Sequence, residues 1–326
     1  MIGINGMGRI GRTFFRVLFQ EGRVKELAAV NDIMPKKHLI YLLQYDTVRG
    51  TLTSKIEPTA DGFSIDGHEV VLYQKESPEE IPWAVSGAKT IVESTGVFST
   101  QEDLKKHLKA GAEKCILTTT GGEHVPLYIA GVNDQAYSNE AIFSIGSCTV
   151  NGSAPLINML DKFKPVSIYL NVIHAYSARQ NILDSYYPEI RRSRASASNI
   201  IPLNINLDLS LMRLFPHLEG CIKSITSRVP IPCGVLTDMT VTLDKPPASA
   251  AELMAHLKQQ ISGDMEAIAA ITNEPVVSSD VLHNTHSFII DEEFSHIMGN
   301  HAKLMVWFDN EWGFSNRLLK WVERMN

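Results

Sequence analysis

A cysteine, Cys148, lies where an apolar stretch ends and a helical pattern begins. The apolar residues 141–145 predict a short buried strand, and Gly146 and Ser147 interrupt it before helical spacing starts at Ala154. Unpaired amides and the dipole at a helix N-terminus favour negative charge, so we expect the Cys148 thiol to ionise readily. Free cysteine is also among the most buried residue types, and this stretch by itself leaves a plain core role open.

Two further residues, His174 and Arg228, lie at the ends of predicted strands. His174 follows the strand-like residues 166–173, and Arg228 lies near the end of residues 221–229. If the first of these strand ends lies beside Cys148, the imidazole can polarise the thiol and later move protons. Without such a neighbour, His174 is an ordinary loop residue. A guanidinium such as that of Arg228 suits a bidentate contact with phosphate.

A third chemical pattern opens the chain, where a strand-like segment runs into Gly6, Gly8 and Gly11. A helical pattern follows to about residue 20, and a second strand ends at Asp32, 21 residues after Gly11. This spacing is typical of a dinucleotide-binding turn, in which the helix N-terminus faces the pyrophosphate. The Asp32 carboxylate is placed to bind the ribose hydroxyls, and it favours NAD over NADP because it repels a 2′-phosphate. The alternative is a glycine-rich turn in an α/β protein that binds no cofactor.

A thiol nucleophile beside a dinucleotide site predicts one reaction class. The thiolate adds to an aldehyde to form a thiohemiacetal, a hydride passes to the nicotinamide, and phosphate or water releases the resulting thioester. Backbone amides near Cys148 are expected to stabilise the transient oxyanion. A thiol hydrolase built on Cys148 and His174 alone is an alternative that leaves the dinucleotide pattern unused.

The elements that position these residues predict an α/β protein of two domains. Residues 1–147 alternate strands and helices, which indicates a Rossmann-type doubly wound parallel sheet, and a helical pattern at 313–326 ends the chain. Residues 148–312 indicate an α+β catalytic domain with a mixed sheet and a long loop at 177–202. Thr95 and Gly96 follow a predicted strand at 90–93, so we expect them at the cofactor edge of the first sheet. The remaining strands predicted for the first domain are residues 70–73, 115–118 and 127–130.

Charge, hydropathy and cysteine spacing argue against several classes of binding partner. The net charge of −6 and the lack of a membrane-length apolar run argue against nucleic-acid and membrane binding. The four cysteines have no metal-binding spacing, so no metal site is expected. The N-terminus lacks the layout of a signal peptide, and we expect a cytoplasmic protein with reduced thiols.

Over nearly its whole length the chain resembles the glyceraldehyde-3-phosphate dehydrogenase family. The segments that carry the resemblance are NGMGRIGR (5–12), YDTVRG (45–50), ESTGVF (93–98), SCTVN (147–151), RRSRA (191–195), RVP (228–230) and DNEWGFSN (309–316). The resemblance implies that Cys148 is the nucleophile and that His174 activates it. It also implies a homotetramer, in which the 177–202 loop reaches toward the cofactor of a neighbouring subunit, and a C-terminal helix at 313–326 that completes the NAD-binding domain.

The same resemblance implies two sets of binding residues. Those at family positions for NAD contacts are Arg9, Ile10, Asp32, Lys75, Thr118 and Asn316, beside the glycines and the 95–96 loop already named. Those at family positions for the phosphorylated aldehyde or the attacking phosphate are Ser147, Thr149, Ser177, Arg191 and Arg228.

The chain departs from the family pattern at two places. Arg179 replaces an acid, and residues 203–206 read Leu-Asn-Ile-Asn where the family has a phosphate-binding Thr-Ser-Thr-Gly. The side chain of Ile205 cannot donate a hydrogen bond, so a site for inorganic phosphate would depend on Arg179 or Arg191. The related erythrose-4-phosphate dehydrogenases also lack this Thr-Gly and release the acid with water. An NAD-binding paralogue with little turnover, acting through interactions, is the alternative from another class.

Overall fold

The alternating elements near the start of the chain build an eight-stranded sheet in a computed structural model that describes residues 1–325. The strands follow the order β10-β9-β8-β1-β2-β7-β6-β5. The pairs from β10 to β7 are parallel, and the last two strands are antiparallel. The sheet strands are β1 Ile2–Asn5, β2 Leu27–Asn31, β5 Ile56–Pro58, β6 Gly62–Ile65, β7 His68–Tyr73, β8 Thr90–Glu93, β9 Lys114–Leu117 and β10 Ile142–Ser144. A separate hairpin contains β3 Tyr45–Asp46 and β4 Gly50–Thr51.

Four helices accompany this sheet, namely α1 Arg9–Gln20, α2 Lys36–Gln44, α3 Trp83–Ser86 and α4 Gln101–Lys109. The strands read as nearly continuous buried runs because helices cover them, as parallel sheets require. Trp83 and Leu104 are fully buried in the apolar layer against β8 and β9. The predicted Rossmann-type sheet is therefore confirmed.

A second, seven-stranded sheet is mixed, as predicted. Its order is β12-β13-β11-β14-β17-β16-β15, with parallel pairs only at β11/β13 and β15/β16 among the described residues. Its strands are β11 Pro165–Ala175, β12 Ile201–Leu203, β13 Ile222–Val229, β14 Val235–Leu243, β15 Ala269–Thr272, β16 Phe288–Met298 and β17 His301–Phe308. The accompanying helices are α5 Cys148–Asn151, α6 Ala154–Met159, α7 Leu207–Leu214 and α8 Ala250–Gln260. Strand β14 alternates buried and half-buried residues, so one face of the sheet lies against the core.

The chain forms two compact units, and the first is discontinuous in sequence. It comprises Met1–Tyr128, Ala136–Ser147 and Ser315–Asn326, of which Asn326 lies outside the described residues. The second comprises Ile129–Gln135 and Cys148–Phe314. The C-terminal helix α9, Trp312–Met325, begins one residue before the predicted helix at 313–326, whose last residue is the one not described.

In the first unit, α9 contributes an aromatic side chain to the core. The ring of Trp321 lies 5.3 Å from that of Phe143 and 5.5 Å from that of Tyr137, between centroids. Tyr128 lies 6.1 Å from the same indole. The last helix thus packs against the segment that carries β10.

Two details of the sequence interpretation were wrong. Residues 127–130 form no strand, and only Leu127 makes a single bridge to Ser144. The chain turns immediately afterwards, because the amides of Val132 and Asn133 both donate to the carbonyl of Ile129. The loop at 177–202 is not wholly irregular either, since it contains a short 3₁₀ helix at Ile190–Ser193 and enters β12 at Ile201.

No helix within residues 1–325 combines the length and apolar character needed to cross a bilayer.

Candidate active site

The second unit brings Cys148 and His174 together. Cys148 is the first residue of α5, and its Sγ lies 3.8 Å from Nε2 of His174, within reach of a sulfur hydrogen bond. The thiol is partly accessible, whereas the imidazole is buried. A thiol facing an imidazole is the arrangement that thiol nucleophiles use.

The register of two parallel strands adds Arg228 to this pair. His174 of β11 lies opposite Arg228 of β13. Nη1 of Arg228 lies 2.5 Å from Nδ1 of His174 and donates at 2.8 Å to the carbonyl of Ala175. The carbonyl of Ala175 only accepts and also lies 2.8 Å from Nδ1 of His174, so the imidazole proton resides on Nδ1 and Nε2 faces Cys148 as an acceptor.

The structure reverses the expected ease of thiol ionisation. Burial raises the pKa of Cys148 to about 11, and the nearby Arg228 cation and the amide of Thr149 offset only part of that effect. Helix α5 has four residues, so its dipole is too short to compensate. Burial, followed by the Arg228 charge, lowers the pKa of His174 to about 3. At neutral pH the pair is therefore a neutral thiol and a neutral imidazole.

Arg228 is a buried cation that lacks a carboxylate partner within residues 1–325. Only 9% of its surface is exposed, and its Nε is buried without a hydrogen-bond partner. Burial lowers its pKa to about 10, which still leaves it charged at neutral pH. A buried, unpaired guanidinium beside a thiol is suited to an anionic group on a substrate.

The other predicted substrate residues have different surroundings. The Ser177 hydroxyl accepts from the amide of Arg179, and the exposed Arg191 donates to the carbonyl of Pro202. Thr149 is buried in α5, and Ser147 is half-buried just before it. Within the predicted catalytic and substrate set, His174 directly contacts both Cys148 and Arg228.

The predicted cofactor residues cluster in the first unit around a cavity of about 460 Å³. Those of the predicted set that line it are Gly6, Gly8, Asp32, Lys75 and Thr95. The Asp32 carboxylate accepts from the amides of Met7, at 2.6 Å, and Met34, at 2.8 Å. These bonds hold the carboxylate beside the glycine turn.

The three glycines explain the shape of this turn. Gly6 has a φ of +91°, and a Cβ there would lie 2.6 Å from the amide nitrogen of Thr95. A Cβ on Gly11 would lie 2.1 Å from the carbonyl oxygen of Gly6. A Cβ on Gly8 would meet no atom within 4 Å, so that position faces open space.

The residues present fit a bound dinucleotide. Helix α1 begins after Gly8 with no side-chain cap and no acid in its first turn, so its amides remain suited to a pyrophosphate. Arg9, in this first turn, forms an ion pair with Asp46 of the neighbouring hairpin. The remaining predicted cofactor residues lie outside the cavity lining, with Ile10 in α1, Gly96 after β8, Thr118 after β9 and Asn316 in α9.

Sequence reasoning missed a buried polar group beneath this cavity. Glu93 and His107 are both fully buried, and the side chain of Asn5 joins them. The only signal in the sequence is that Glu93 is a charged residue at the end of an apolar strand.

The segment that replaces the family's phosphate loop leads into α7. Asn206 adopts a φ of +54° before the helix and makes no side-chain cap, and the first turn contains the buried carboxylate of Asp208. Helix α7 contacts α5, which begins at Cys148. An acid in the first turn disfavours a second anion at the N-terminus of this helix.

Comparison with known proteins gives matches along most of the chain. The family model described as glyceraldehyde 3-phosphate dehydrogenase, NAD binding domain, matches residues 1–101. The model described as the C-terminal domain of the same enzyme matches residues 147–310. Glyceraldehyde-3-phosphate dehydrogenase 2 of Streptomyces avermitilis is 35% identical over 322 residues, covering 98% of this chain and 96% of the relative. The Mycobacterium avium glyceraldehyde-3-phosphate dehydrogenase is 37% identical over 329 residues, covering 98% and 97% respectively.

Proposed function

Because the chain belongs to the glyceraldehyde-3-phosphate dehydrogenase family of NAD-dependent oxidoreductases, we propose that it oxidises a phosphorylated aldehyde through a thioester on Cys148. The observation that carries the proposal is the contact of His174 with both the Cys148 thiol and the unpaired Arg228 cation. In this proposal, residues 1–147 and the helix at 313–326 bind NAD, and residues 148–312 carry the chemistry.

The first step uses the hydrogen bond directions at His174. Nε2 of His174 accepts the Cys148 thiol proton as the sulfur attacks the aldehyde carbon, the C=O π electrons move to oxygen, and the new Nε2–H hydrogen-bonds to the negative charge on that oxygen. When bound, NAD supplies the two-electron oxidation that converts this thiohemiacetal into a thioester. Arg228 holds the substrate phosphate as a charge-assisted partner.

We infer the acyl acceptor, phosphate or water, from the residues at the start of α7 and just before it. Phosphate is the acceptor implied by the family, but Ile205 donates no side-chain hydrogen bond and Asp208 places a carboxylate in the first turn of α7. These features favour the second candidate, release of the free acid by water, with erythrose 4-phosphate as the alternative substrate. Attack of water on the thioester carbonyl expels the Cys148 thiolate and restores the enzyme.

Steady-state NADH formation tests the proposal. Purified enzyme is assayed with glyceraldehyde 3-phosphate or erythrose 4-phosphate, each with and without inorganic phosphate. We expect turnover with at least one aldehyde, and a Cys148→Ser variant should lose it while still binding NAD. Strict dependence on phosphate with glyceraldehyde 3-phosphate would exclude the water route. NAD binding without an NADH burst would instead support the non-catalytic paralogue.

We also propose that the chain assembles as a homotetramer. In support, the sheet of the second unit exposes Tyr169 and Ile225, which are 63% and 53% accessible and line one surface groove. Leu183, Tyr186 and Ile190 are likewise exposed in the 177–202 loop. Apolar side chains grouped in this way are typical of subunit interfaces.

A further inference from the structure

The buried Glu93 carboxylate accepts four hydrogen bonds. Its Oε1 accepts from the amide of Thr95, at 2.8 Å, and from the Thr95 hydroxyl, at 2.5 Å. Its Oε2 accepts from Nδ2 of Asn5, at 2.5 Å, and from Nε2 of His107, at 3.0 Å. Two hydrogen bonds on each oxygen occupy the lone-pair positions of a carboxylate.

The orientation of each partner is fixed by its own neighbours. Nε1 of Trp83 donates to Nδ1 of His107 at 3.1 Å, which places the imidazole proton on Nε2, toward Glu93. Within residues 1–325 no lysine or arginine pairs with Glu93. Glu93 is fully buried, and its two oxygens are held by four hydrogen bonds from Asn5, Thr95 and His107.

The same hydrogen-bond network reaches the opposite wall of the cofactor cavity. Oδ1 of Asn5 accepts from Nδ2 of Asn31 at 2.8 Å. The Asn31 amide binds both backbone groups of Lys75, accepting from its N–H at 2.9 Å and donating to its carbonyl at 3.0 Å. Asn5, Asn31, Lys75 and Thr95 line the cavity, whereas Glu93 does not.

We propose that Glu93 is a positioning residue for the NAD site, acting through Thr95 on one wall and through Asn5, Asn31 and the Lys75 backbone on the other. A carboxylate is required because every group that faces it donates, and an amide in its place would direct its own N–H₂ at a donor. His107 supports the site from outside the cavity. The proposal rests on NAD binding alone, so it stands or falls independently of the catalytic cycle proposed above.

The test measures NAD affinity by calorimetry on the intact enzyme, without aldehyde. For Glu93→Gln we expect the Kd for NAD to rise about tenfold. Glu69→Gln removes the same charge from an exposed position of β7 and should leave the Kd unchanged. In the steady-state NADH assay with aldehyde, Glu93→Gln should raise the KM for NAD while kcat at saturating NAD stays within about twofold of the unmodified enzyme. A purely structural defect would lower kcat through loss of active enzyme.

A pair of remote variants keeps the test decisive even if Glu93→Gln does not fold. His107→Gln retains an amide donor for Glu93 and an acceptor for Trp83, whereas His107→Leu removes both. We expect His107→Leu to weaken NAD binding more than His107→Gln does, although His107 does not line the cavity. A folded Glu93→Gln or His107→Leu enzyme with unchanged affinity for NAD would overturn the proposal.

Discussion

The buried side chain of Arg228 contacts His174 and is also available to a substrate anion. Its Nη1 is occupied by His174 and the Ala175 carbonyl, while its Nε has no partner in the described chain. The contacts of Nη1 hold the imidazole with its Nε2 toward the thiol, and Nε of Arg228 remains suited to a substrate anion. The charge of Arg228 also lowers the pKa of Cys148, although burial still dominates.

The pH dependence of thiol alkylation tests these charges. Because the pKa of Cys148 is about 11, only the small thiolate fraction reacts at neutral pH, and its amount grows as the pH rises toward that value. We expect the rate of iodoacetamide alkylation of the cofactor-free enzyme to increase about tenfold per pH unit between pH 7 and pH 9. A plateau below pH 8 would contradict the assigned pKa.

Removal of the guanidinium should shift this profile to higher pH. Arg228→Met deletes the cation that favours the thiolate, so we expect alkylation at pH 8 to slow by about three- to tenfold. Arg194→Met is the matched control, since Arg194 is an exposed arginine of the same unit that pairs with Asp184. Equal rates in the two variants would show that Arg228 does not act on the thiol.

At the scale of elements, the glycines in the turn between β1 and α1 have two different roles, one in stability and one in NAD binding. Gly6→Ala and Gly11→Ala place a Cβ against backbone atoms, so we expect each to reduce the free energy of unfolding by about 2 kcal/mol or more. Gly8→Ala meets no atom, and it should keep the stability of the protein but weaken NAD binding by roughly tenfold. Urea denaturation and calorimetry measure the two effects, and a destabilised Gly8→Ala protein would contradict this division.

The same turn shows what sequence can predict. The β1–α1–β2 segment is specified by local spacing, and Gly6, Gly8 and Asp32 all line one cavity. The Glu93 network was not predictable, because Asn5 and Glu93 are 88 residues apart and periodicity does not indicate which buried polar groups meet. The ionisation state of Cys148 was likewise missed, since burial depends on the surrounding elements and outweighs the local helix N-terminus.

At the scale of the whole molecule, we predict that the exposed sheet face of the second unit forms part of the interface between subunits. Tyr169→Asp places a charge in the groove beside Ile225, so we expect the tetramer to dissociate into smaller species in light scattering. Val85→Asp changes a similarly exposed apolar residue of the first unit and should leave the mass unchanged. A tetramer unaffected by Tyr169→Asp would locate the interface elsewhere.

The C-terminal helix is predicted to stabilise the first unit. Trp321→Ala removes a buried indole from the cluster with Phe143 and Tyr137, and we expect a loss of about 3–5 kcal/mol in the free energy of unfolding. Lys320→Ala is the control, because its only ion pair in the described residues is the exposed one with Glu323. Urea denaturation monitored by circular dichroism measures both, and equal stabilities would contradict the assignment.

We also expect that helix to affect the order in which the two units fold during synthesis on the ribosome. The first unit draws on residues at both ends of the chain, whereas residues 148–314 of the second are contiguous. During synthesis, the glycine turn and its sheet emerge first, but the first unit cannot complete its core until Trp321 has been added. The second unit emerges later, and all of its residues have been synthesised before Trp321. We therefore expect a nascent chain halted before residue 315 to expose the aromatic surface around Phe143 and to offer it to chaperones until Trp321 is added.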